Sequence, residues 1–362
     1  MATSIRVAAC HASPVFLNAH KTTNKAISLI QQAAAQSAKL IVFPETYISA
    51  FPIWSSVRPP TENHDLFQRM VDQSVYADGE EMESIREAAR SAGSIVSIGF
   101  SERSRHSNGC LYNSNLLIDT DGKVLVHHRK LVPTFFEKLT WSPGDGFGLK
   151  VANTQFGRIG GLICGENTNP LARYALMAQA EEIHISTWPA IWPTRTPQKT
   201  VDGEDTTTAL KPANYDNLAA NRTRAAAHCF EAKCFGVACA GFLEEEAITA
   251  LVDGASQPDV VIETVRAMPR AATFFLDPTG APLPSFTFAP GSIIPKPTSH
   301  LQGEEGILYA DTDLSACIEG KQYHDVVGGY QRLDVFDLKV DRLRRNPVTF
   351  NDTVCSHKVS NE

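Results

Sequence analysis

The sequence contains little cysteine, and its cysteines are dispersed along the chain. The 362 residues include eight cysteines, too few and too scattered for the disulfide framework of a small secreted protein. Cys229, Cys234 and Cys239 lie five residues apart, which is not the Cys-x-x-Cys spacing of a zinc site. We therefore predict buried thiols, no metal site, and a cytoplasmic location in a reducing compartment.

Long apolar runs and long basic blocks are also lacking. No uninterrupted apolar stretch approaches the roughly 20 residues needed to span a bilayer. The first residues do not combine a basic segment with an apolar core, as a signal peptide does. The net charge of −7 offers no basic surface for a polyanion. The sequence thus predicts neither a membrane partner nor a nucleic-acid partner.

The sequence does contain alternating helical and strand patterns. Apolar residues repeat at helical spacing over about 18–38 and 80–92. Short β-rich runs occupy 5–12, 39–45 and 94–103. This alternation predicts an α/β fold in which helices cover β-sheets.

Antiparallel hairpins interrupt the alternation. Asp121-Gly122 separates two strand patterns, which is a strong hairpin signal, and a second turn is predicted near Phe156-Gly157. Hairpins and helix-linked strands together favour mixed sheets layered with helices over a purely parallel, doubly wound sheet.

Three segments lack a regular pattern. The polar stretch 194–216 is predicted to be a long loop of the kind that often carries function. The proline-rich stretch 282–297 is predicted to be a surface connection. We predict one domain over 1–340, followed by a tail over 341–362 that is either disordered or part of an assembly interface.

Three polar residues follow apolar strand patterns at the point where each pattern ends. They are Glu45, Lys130 and Cys164, and in layered α/β proteins ligands gather at the carboxyl ends of strands. A cysteine attacks as its thiolate and therefore needs a base. A helix predicted to begin at Asn169-Pro170 is expected to favour the thiolate, since helix N-termini attract negative charge.

Glutamate is a better candidate for that base than histidine. His127 and His128 precede Lys130 on opposite faces of a predicted strand, and we interpret both as ordinary strand histidines. Glu45 can act as the base provided that burial raises its pKa towards neutrality. Lys130 would then stabilise an anionic addition intermediate.

The same three residues carry a family resemblance. The segments FPE at Glu45, HRKL at Lys130 and GLICGEN at Cys164 together resemble the nitrilase superfamily, whose catalytic set is Glu, Lys and Cys in that order. The resemblance extends over about 5–337. It implies a single-domain, four-layer α-β-β-α sandwich with two mixed sheets.

The resemblance also implies roles for other residues. The segment PTFFEKLTW resembles the one that carries a second catalytic glutamate, here Glu137, which would orient Lys130 and help to position water. Trp188 in ISTWP would line the substrate pocket, with a simple packing role as the alternative. Further candidates for substrate binding are Gly165, Glu166, Tyr47 and Trp54.

The residues after the thiol indicate a branch of the superfamily. CGEN and the residues that follow it resemble fungal-type arylacetonitrilases. The resemblance implies hydrolysis of an aromatic or arylaliphatic nitrile to the acid and ammonia through a cysteine thioimidate and thioester. It also implies some amide by-product and no cofactor. A cyanide hydratase, an aliphatic nitrilase, an amidase and a non-catalytic, filament-forming member remain as alternatives.

Assembly is a further implication of the resemblance. Members of the superfamily form dimers that build larger spirals, so we expect a homo-oligomer. Near the C-terminus this chain departs from the family pattern, with Gly329 in the position of a histidine and Leu333 in that of a proline. Pocket shape or assembly contacts are therefore expected to differ there.

Overall fold

A computed structural model of the chain describes residues 4–196 and 214–348. Two β-sheets packed face to face form its centre. The strands are β1 (Ser4–His11), β2 (Ala38–Val42), β3 (Ile95–Arg103), β4 (Leu111–Ile118), β5 (Val124–Arg129), β6 (Ala152–Thr154), β7 (Gly157–Ile163), β8 (Ile183–Trp188), β9 (Phe235–Ala240), β10 (Phe274–Leu276), β11 (Phe286–Phe288), β12 (Pro295–Pro297) and β13 (Gly306–Asp313).

Both sheets are mixed, as the hairpin signals predict. The first sheet has the order β12-β11-β13-β1-β2-β3-β4-β5, and the second has the order β10-β9-β8-β7-β6. Strands β1, β2 and β3 run parallel, and the other pairs in that sheet are antiparallel. In the second sheet β7, β8 and β9 run parallel between two antiparallel edges.

Helices cover the outer faces of both sheets. The α-helices are α1 (Ala19–Ala35), α2 (Trp54–Val57), α3 (His64–Gln73), α4 (Glu80–Ala92), α5 (Pro170–Met177), α6 (Asn217–Ala232), α7 (Glu245–Val252), α8 (Pro258–Ala267) and α9 (Ala316–Glu319). Helices α1 and α4 pack on the first sheet, whereas α5 and α6 pack on the second. The predicted four-layer α-β-β-α sandwich is confirmed.

Strand β1 shows how the sequence builds these layers. Its buried side chains alternate, because successive residues of a strand point to opposite faces. Ala8 and Cys10 belong to the core under α1 and α4. Val7 and Ala9 belong to the core between the two sheets. A continuous apolar run is therefore required here, since both faces of the strand are covered.

Helix α4 has the bounds that the sequence predicts, and its ends explain why. Its first turn carries Glu80, Glu81 and Glu83, which favour the positive end of the helix dipole. Gly93 ends it in the left-handed conformation, at φ +59°. The two predicted hairpins are also present, with a left-handed glycine at the first turn, Gly122 at φ +81°.

The proline-rich stretch is more ordered than predicted. It contains β11 and β12, which pair with each other at the edge of the first sheet. Pro295 and Pro297 lie on the outermost strand, where a residue without a backbone N–H is tolerated. The interpretation of 282–297 as a surface connection was therefore wrong in part.

The predicted loop and tail lie partly outside the described residues. Of the loop 194–216, only its two ends are described, and of the tail the structure describes 341–348. In that part the Arg344 guanidinium donates a 2.8 Å bond to Asp145 and a 3.3 Å bond to the His127 carbonyl. Among the helices of the described ranges, none is long and apolar enough to cross a membrane.

Candidate active site

Lys130 lies at the centre of a buried charge cluster. It follows the last residue of β5, and its ammonium donates a 2.8 Å bond to Glu45 Oε1. The same ammonium donates to both carboxylate oxygens of Glu137, at 2.8 and 2.7 Å. All three side chains have 0% exposure. The structure thus brings together three of the residues that are predicted to be catalytic.

The two oxygens of the Glu45 carboxylate have different surroundings. Oε1 accepts from Lys130 and, at 2.7 Å, from Nδ2 of Asn113 on β4. Thr46 donates a 3.2 Å bond to Oδ1 of Asn113, which fixes the orientation of that amide. Glu45 Oε2 is buried and has no hydrogen-bond partner among the described residues. One carboxylate oxygen therefore remains available to take a proton.

Cys164 lies on a sharp turn directly after β7. It begins a 3₁₀ helix, Cys164–Thr168, and its backbone has the left-handed φ of +51°. Its Sγ atom, one carboxylate oxygen of Glu45 and one of Glu137 all lie within 4.8 Å of one another. The first sheet thus supplies the glutamate and the lysine, and the second sheet supplies the thiol.

The thiol is protonated in the resting site. Burial raises the pKa of Cys164 well above its ordinary value, and the nearby Glu45 carboxylate raises it further, although Lys130 opposes this. Helix α5 does begin at Pro170 as predicted, with Asn169 as its N-cap. The pKa of the thiol is nevertheless raised overall, because burial and the Glu45 carboxylate dominate.

Burial acts on the pKa values of Lys130 and Glu137 in opposite directions. Burial alone would lower the pKa of Lys130, but the negative groups around it, Cys164 when ionised, Glu137 and Glu45, raise that pKa well above the ordinary value. Burial raises the pKa of Glu137 to about 7, and Lys130 only partly offsets the rise. The lysine therefore stays an ammonium, whereas Glu137 titrates near neutral pH.

Glu166 holds the site together instead of facing a substrate. Its Oε1 accepts a 2.6 Å bond from the Leu131 N–H, and its Oε2 accepts from the Ile163 N–H at 2.8 Å. His128 lies 2.9 Å from the same Oε2 through its Nε2 atom. This differs from the predicted substrate contact, since the protein itself occupies the carboxylate. His127 is likewise engaged by Glu102, at 2.8 Å, as expected of a strand histidine.

Trp188 and Gly165 lie close to the thiol. Trp188 ends β8 in the same apolar cluster as Cys164, and its indole N–H is buried without a partner in the described ranges. The guanidinium of Arg224 lies over the indole ring, 4.5 Å from its centroid. Gly165 faces the loop before Glu137, since a Cβ there would lie 2.7 Å from Thr134 Oγ1. A side chain at 165 would crowd that loop.

Tyr47 borders an apolar cavity beside Glu45, whereas Trp54 does not. Within the described part of the chain, the cavity is lined almost entirely by apolar and aromatic groups, and Glu45 is its only carboxylate. The other residues that define it include Phe16, Tyr47, Phe51, Ile53, Pro189, Ala190 and Phe242. Trp54 is buried in a neighbouring core cluster, where its ring meets Phe16 edge-on at 5.9 Å.

Sequence reasoning missed three polar residues of the site. Asn113 orients Glu45, and Asn167 donates a 3.0 Å bond to the Cys164 carbonyl. Arg224 reaches the site from α6, and its charge acts to lower the pKa of Cys164. Only Asn113 carries a recognisable signal, since it is a polar residue inside the apolar strand pattern of β4.

Among the described residues, two buried groups of side chains have the donor atoms of a metal site. In the first, Glu45, Glu137 and Cys164, the Lys130 ammonium already lies between the two carboxylates and supplies the positive charge. In the second, the carboxylate of Glu181 meets His184 and His228 at 2.9 and 2.7 Å. These distances are those of hydrogen bonds.

The two stacked mixed sheets bring a thiol, a carboxylate and an ammonium together at their strand ends, which is the combination of groups that hydrolysis through a cysteine would require. The chain belongs to the carbon-nitrogen hydrolase family, whose sequence model matches residues 6–322. This membership confirms the resemblance that the three motifs carry.

Curated relatives and solved structures agree with this placement. A nitrilase from Penicillium rubens is 32% identical over 96% of this chain and 96% of its own length. An arylacetonitrilase from Hypocrea virens is 33% identical over 93% of this chain and 92% of its own. The crystal structure of Nit3 from Saccharomyces cerevisiae superimposes with a TM-score of 0.63 at 16% identity, covering 91% of this chain and 97% of that one. The last comparison concerns the fold alone.

Proposed function

We propose that the protein hydrolyses an organic nitrile to the carboxylic acid and ammonia, with Cys164 as the nucleophile. The observation that carries the proposal is the Glu45 carboxylate, which has an oxygen within 4.8 Å of the Cys164 sulfur. Lys130 and Asn113 hold its Oε1, and its Oε2 has no partner among the described residues. A protonated thiol needs an adjacent base, and we propose that this carboxylate serves as one.

The first half of the reaction adds the thiol across the C≡N bond. Glu45 takes the proton of Cys164 as sulfur attacks the nitrile carbon, and then returns it to the nitrogen. The product is a thioimidate on Cys164. The positive charge of Lys130, fixed by Glu137, stabilises the negative charge that develops on nitrogen.

The second half releases the two products. Glu45 takes a proton from water as the oxygen attacks the thioimidate carbon, which gives a tetrahedral intermediate. Protonation of its nitrogen and loss of ammonia leave a thioester, and a second water releases the acid and the thiol. We propose the backbone N–H of Gly165 as a further donor to the intermediate.

The tetrahedral intermediate has a second possible leaving group. If the C–S bond breaks before the C–N bond, the product is the amide and the free thiol is restored. We therefore expect some amide by-product, in a proportion that varies with the substrate. Chromatography that detects no amide from any of several nitriles would contradict this part.

We propose an aromatic or arylaliphatic substrate. Trp188 lies in the same apolar cluster as Cys164, so its ring would pack against an aromatic group held beside the nucleophile. The name of the Hypocrea virens relative agrees with an arylacetonitrile.

The test is ammonia release from a substrate panel. Phenylacetonitrile, benzonitrile, an aliphatic dinitrile, cyanide and an aliphatic amide are each incubated with the wild type and with Cys164→Ala. Cys317→Ala is the matched control, since Cys317 is a buried thiol in a different core cluster, outside the charge cluster. We expect rapid release from phenylacetonitrile, abolished by C164A and retained by C317A.

Other results would redirect the assignment. Turnover of the amide alone would keep the cysteine mechanism and replace the nitrile by an amide. Formamide produced from cyanide would indicate a hydratase. If a folded sample releases nothing from any substrate, the nitrile hydrolase proposal is wrong and a non-catalytic assembly role is favoured.

A further inference from the structure

A chain of buried polar side chains lies behind the Cys164 turn. Asn167 donates from Nδ2 to two backbone carbonyls, Cys164 O at 3.0 Å and Leu162 O at 3.2 Å. Its Oδ1 is 2.9 Å from Nε2 of His184, and His184 Nδ1 is 2.9 Å from Glu181 Oε1. All of these side chains are buried.

The two carbonyls determine which way the Asn167 amide points. Carbonyl oxygens only accept, so the amide nitrogen must face them and Oδ1 must accept bonds from the other side. Ser186 donates one of these, at 2.9 Å. The Nε2 atom of His184 supplies the other, and it must therefore carry a proton.

A conflict follows at the opposite side of the imidazole ring. A neutral His184 protonated at Nε2 has a lone pair at Nδ1, and that lone pair would face the Glu181 carboxylate at 2.9 Å. Two acceptors at this distance require a proton or another cation between them. His228 cannot relieve the conflict, because it meets the other oxygen, Glu181 Oε2, at 2.7 Å.

Ring geometry favours a proton over a metal ion. The rings of His184 and His228 are stacked, with centroids 3.6 Å apart and planes inclined by 21°. Imidazole lone pairs lie in the ring plane, and a bound metal lies about 2.0–2.1 Å from the nitrogen. Nearly parallel planes at this separation do not meet at one point so close to both nitrogens.

We propose that His184 is an imidazolium held between Glu181 and Asn167, and that this chain positions the Cys164 nucleophile. Because His184 then donates with a charged N–H, its bond to Asn167 is strengthened, and the polarised amide holds both carbonyls of the turn more firmly. The left-handed backbone of Cys164 is thereby kept in place. These are positioning residues, since none of them touches the reacting atoms.

The charges of the groups around His184 agree with its assignment as an imidazolium. Burial would raise the pKa of Glu181, but His184 and His228 lower it to about 2, so the carboxylate is ionised. Burial lowers the pKa of His228 to about 4, which leaves that ring neutral at pH 7. Cys234 and Arg173 also face the group formed by Glu181, His184 and His228, and Arg173 is paired with Glu231 at 2.8 Å.

Gly160 supplies the space that this arrangement needs. A Cβ at 160 would lie 2.2 Å from Glu181 Oε1, so a side chain on β7 would displace the carboxylate. Gly160 therefore leaves room for the Glu181 carboxylate in the row of buried hydrogen bonds behind Cys164.

The positioning role is tested by Asn167→Asp, which keeps the shape and removes both Nδ2 donors. Asn169→Asp is the matched control, since the same change at the exposed N-cap of α5 retains a good capping residue. We expect N167D to lower kcat by about 10²-fold, as a misplacement of about 1 Å does, with little change in KM. N169D should match the wild type.

Alkylation of Cys164 by iodoacetamide, followed by peptide mass spectrometry, is the second readout. It does not depend on nitrile hydrolysis, so it separates a failure of this proposal from a failure of the proposed function. We expect slower alkylation in N167D than in N169D. Equal rates and equal kcat in the two variants would overturn the positioning role.

Protonation of His184 is measured in the wild-type protein. The protein is labelled with ¹⁵N-histidine and examined by solid-state NMR at pH 8, where ordinary histidines are neutral. The His184 signals are identified by their loss in His184→Gln. Two protonated ring nitrogens support the proposal. A lone-pair nitrogen at His184, or a stoichiometric divalent metal that is lost in Glu181→Gln, would overturn it.

Discussion

At the residue scale, the asymmetry of the Glu45 carboxylate is the most informative feature. Lys130 and Asn113 hold one oxygen, and the other is free within the described residues. An ion pair alone would not leave an oxygen buried without a partner, because such groups are costly. The arrangement is explained if that oxygen exchanges a proton during the reaction.

Glu45→Gln tests this interpretation directly. The amide fills the same space but is no longer a base, so we expect kcat to fall by about 10²–10⁴-fold, the usual contribution of general base catalysis. Glu87→Gln, an exposed change on α4, is the control. Steady-state rates of ammonia release give kcat for both variants. If Glu45→Gln retains the wild-type kcat, Glu45 is not the base.

The pKa of Glu137 predicts a pH dependence. Below about pH 7 this carboxylate takes up a proton, which weakens its ion pair with Lys130. We expect kcat/KM to fall as the pH drops through about 7. The apparent value belongs to the coupled cluster of Glu45, Lys130 and Glu137. In Glu137→Gln the fall of kcat/KM at low pH should shift to another pH or disappear. An unchanged pH profile would show that another group causes the fall.

The same raised pKa has a consequence for stability. Because folded Glu137 binds its proton more tightly than a free carboxylate, the folded state holds more protons than the unfolded state between about pH 4.5 and 7. This group therefore lowers the free energy of unfolding as the pH rises through that window. This loss of stability arises because Glu137 becomes charged while it is buried, and we interpret that buried charge as one that the reaction needs.

The sequence identifies some of these residues and not others. Glu45, Lys130 and Cys164 are recognisable because each lies at or just after the end of a strand pattern, and strand ends meet at one edge. The contact between Asn113 and Glu45 joins residues 68 apart in the chain. That between His228 and Glu181 joins residues 47 apart. Such pairs depend on the register of two elements, which apolar periodicity does not specify.

At the scale of elements, the site depends on a connection between the two sheets. Glu166 bonds the backbone after β5 and the end of β7, and so links the strand before Lys130 to the strand before Cys164. Burial would raise its pKa, but His128 and the two backbone N–H groups outweigh burial and lower that pKa. The carboxylate is therefore ionised and holds three donors.

Glu166→Gln should weaken this link. An amide offers one acceptor oxygen, and its NH₂ group would face a donor, so we expect the free energy of unfolding to fall by about 1–3 kcal/mol. Glu263→Gln, an exposed change in the middle of α8, should stay within about 0.5 kcal/mol. Urea denaturation measures both. Equal midpoints for the two variants would show that the Glu166 bonds contribute nothing to stability.

Elements with strong local signals are predictable, and those defined by the tertiary structure are not. Helix α4 has acidic residues in its first turn and a glycine at its end, and its bounds match the prediction. Strands β11 and β12 have only three residues each, and two of the three residues of β12 are prolines. They exist because β13 offers an edge to which β11 can pair, and a linear pattern does not reveal that edge.

At the scale of the whole molecule, the residues after the sandwich expose a group of apolar side chains. Leu333, Phe336 and Leu343 are 80%, 73% and 68% exposed. Exposed apolar groups clustered in one segment are typical of an interaction surface. We propose that this segment packs against another copy of the chain, in keeping with the assembly expected from the family resemblance.

Light scattering after size-exclusion chromatography tests this proposal. One chain has a mass of 39.5 kDa, and we expect the wild type to elute as a multiple of that mass. The double variant Leu333→Glu/Phe336→Glu should shift the mass towards a single chain, because two buried charges would oppose the interface. A wild type that is monomeric and fully active would contradict the proposed assembly.

The proposed mechanism requires that Cys164 form a covalent bond to the nitrile carbon. The most direct measurement is rapid acid quenching of the enzyme with phenylacetonitrile, followed by mass spectrometry of the peptide that contains Cys164. We predict an adduct on Cys164 with the mass of the whole nitrile or of its acyl group, absent from Cys164→Ala. Steady product formation by C164A, or turnover by the wild type with an adduct on a different residue, would contradict the account.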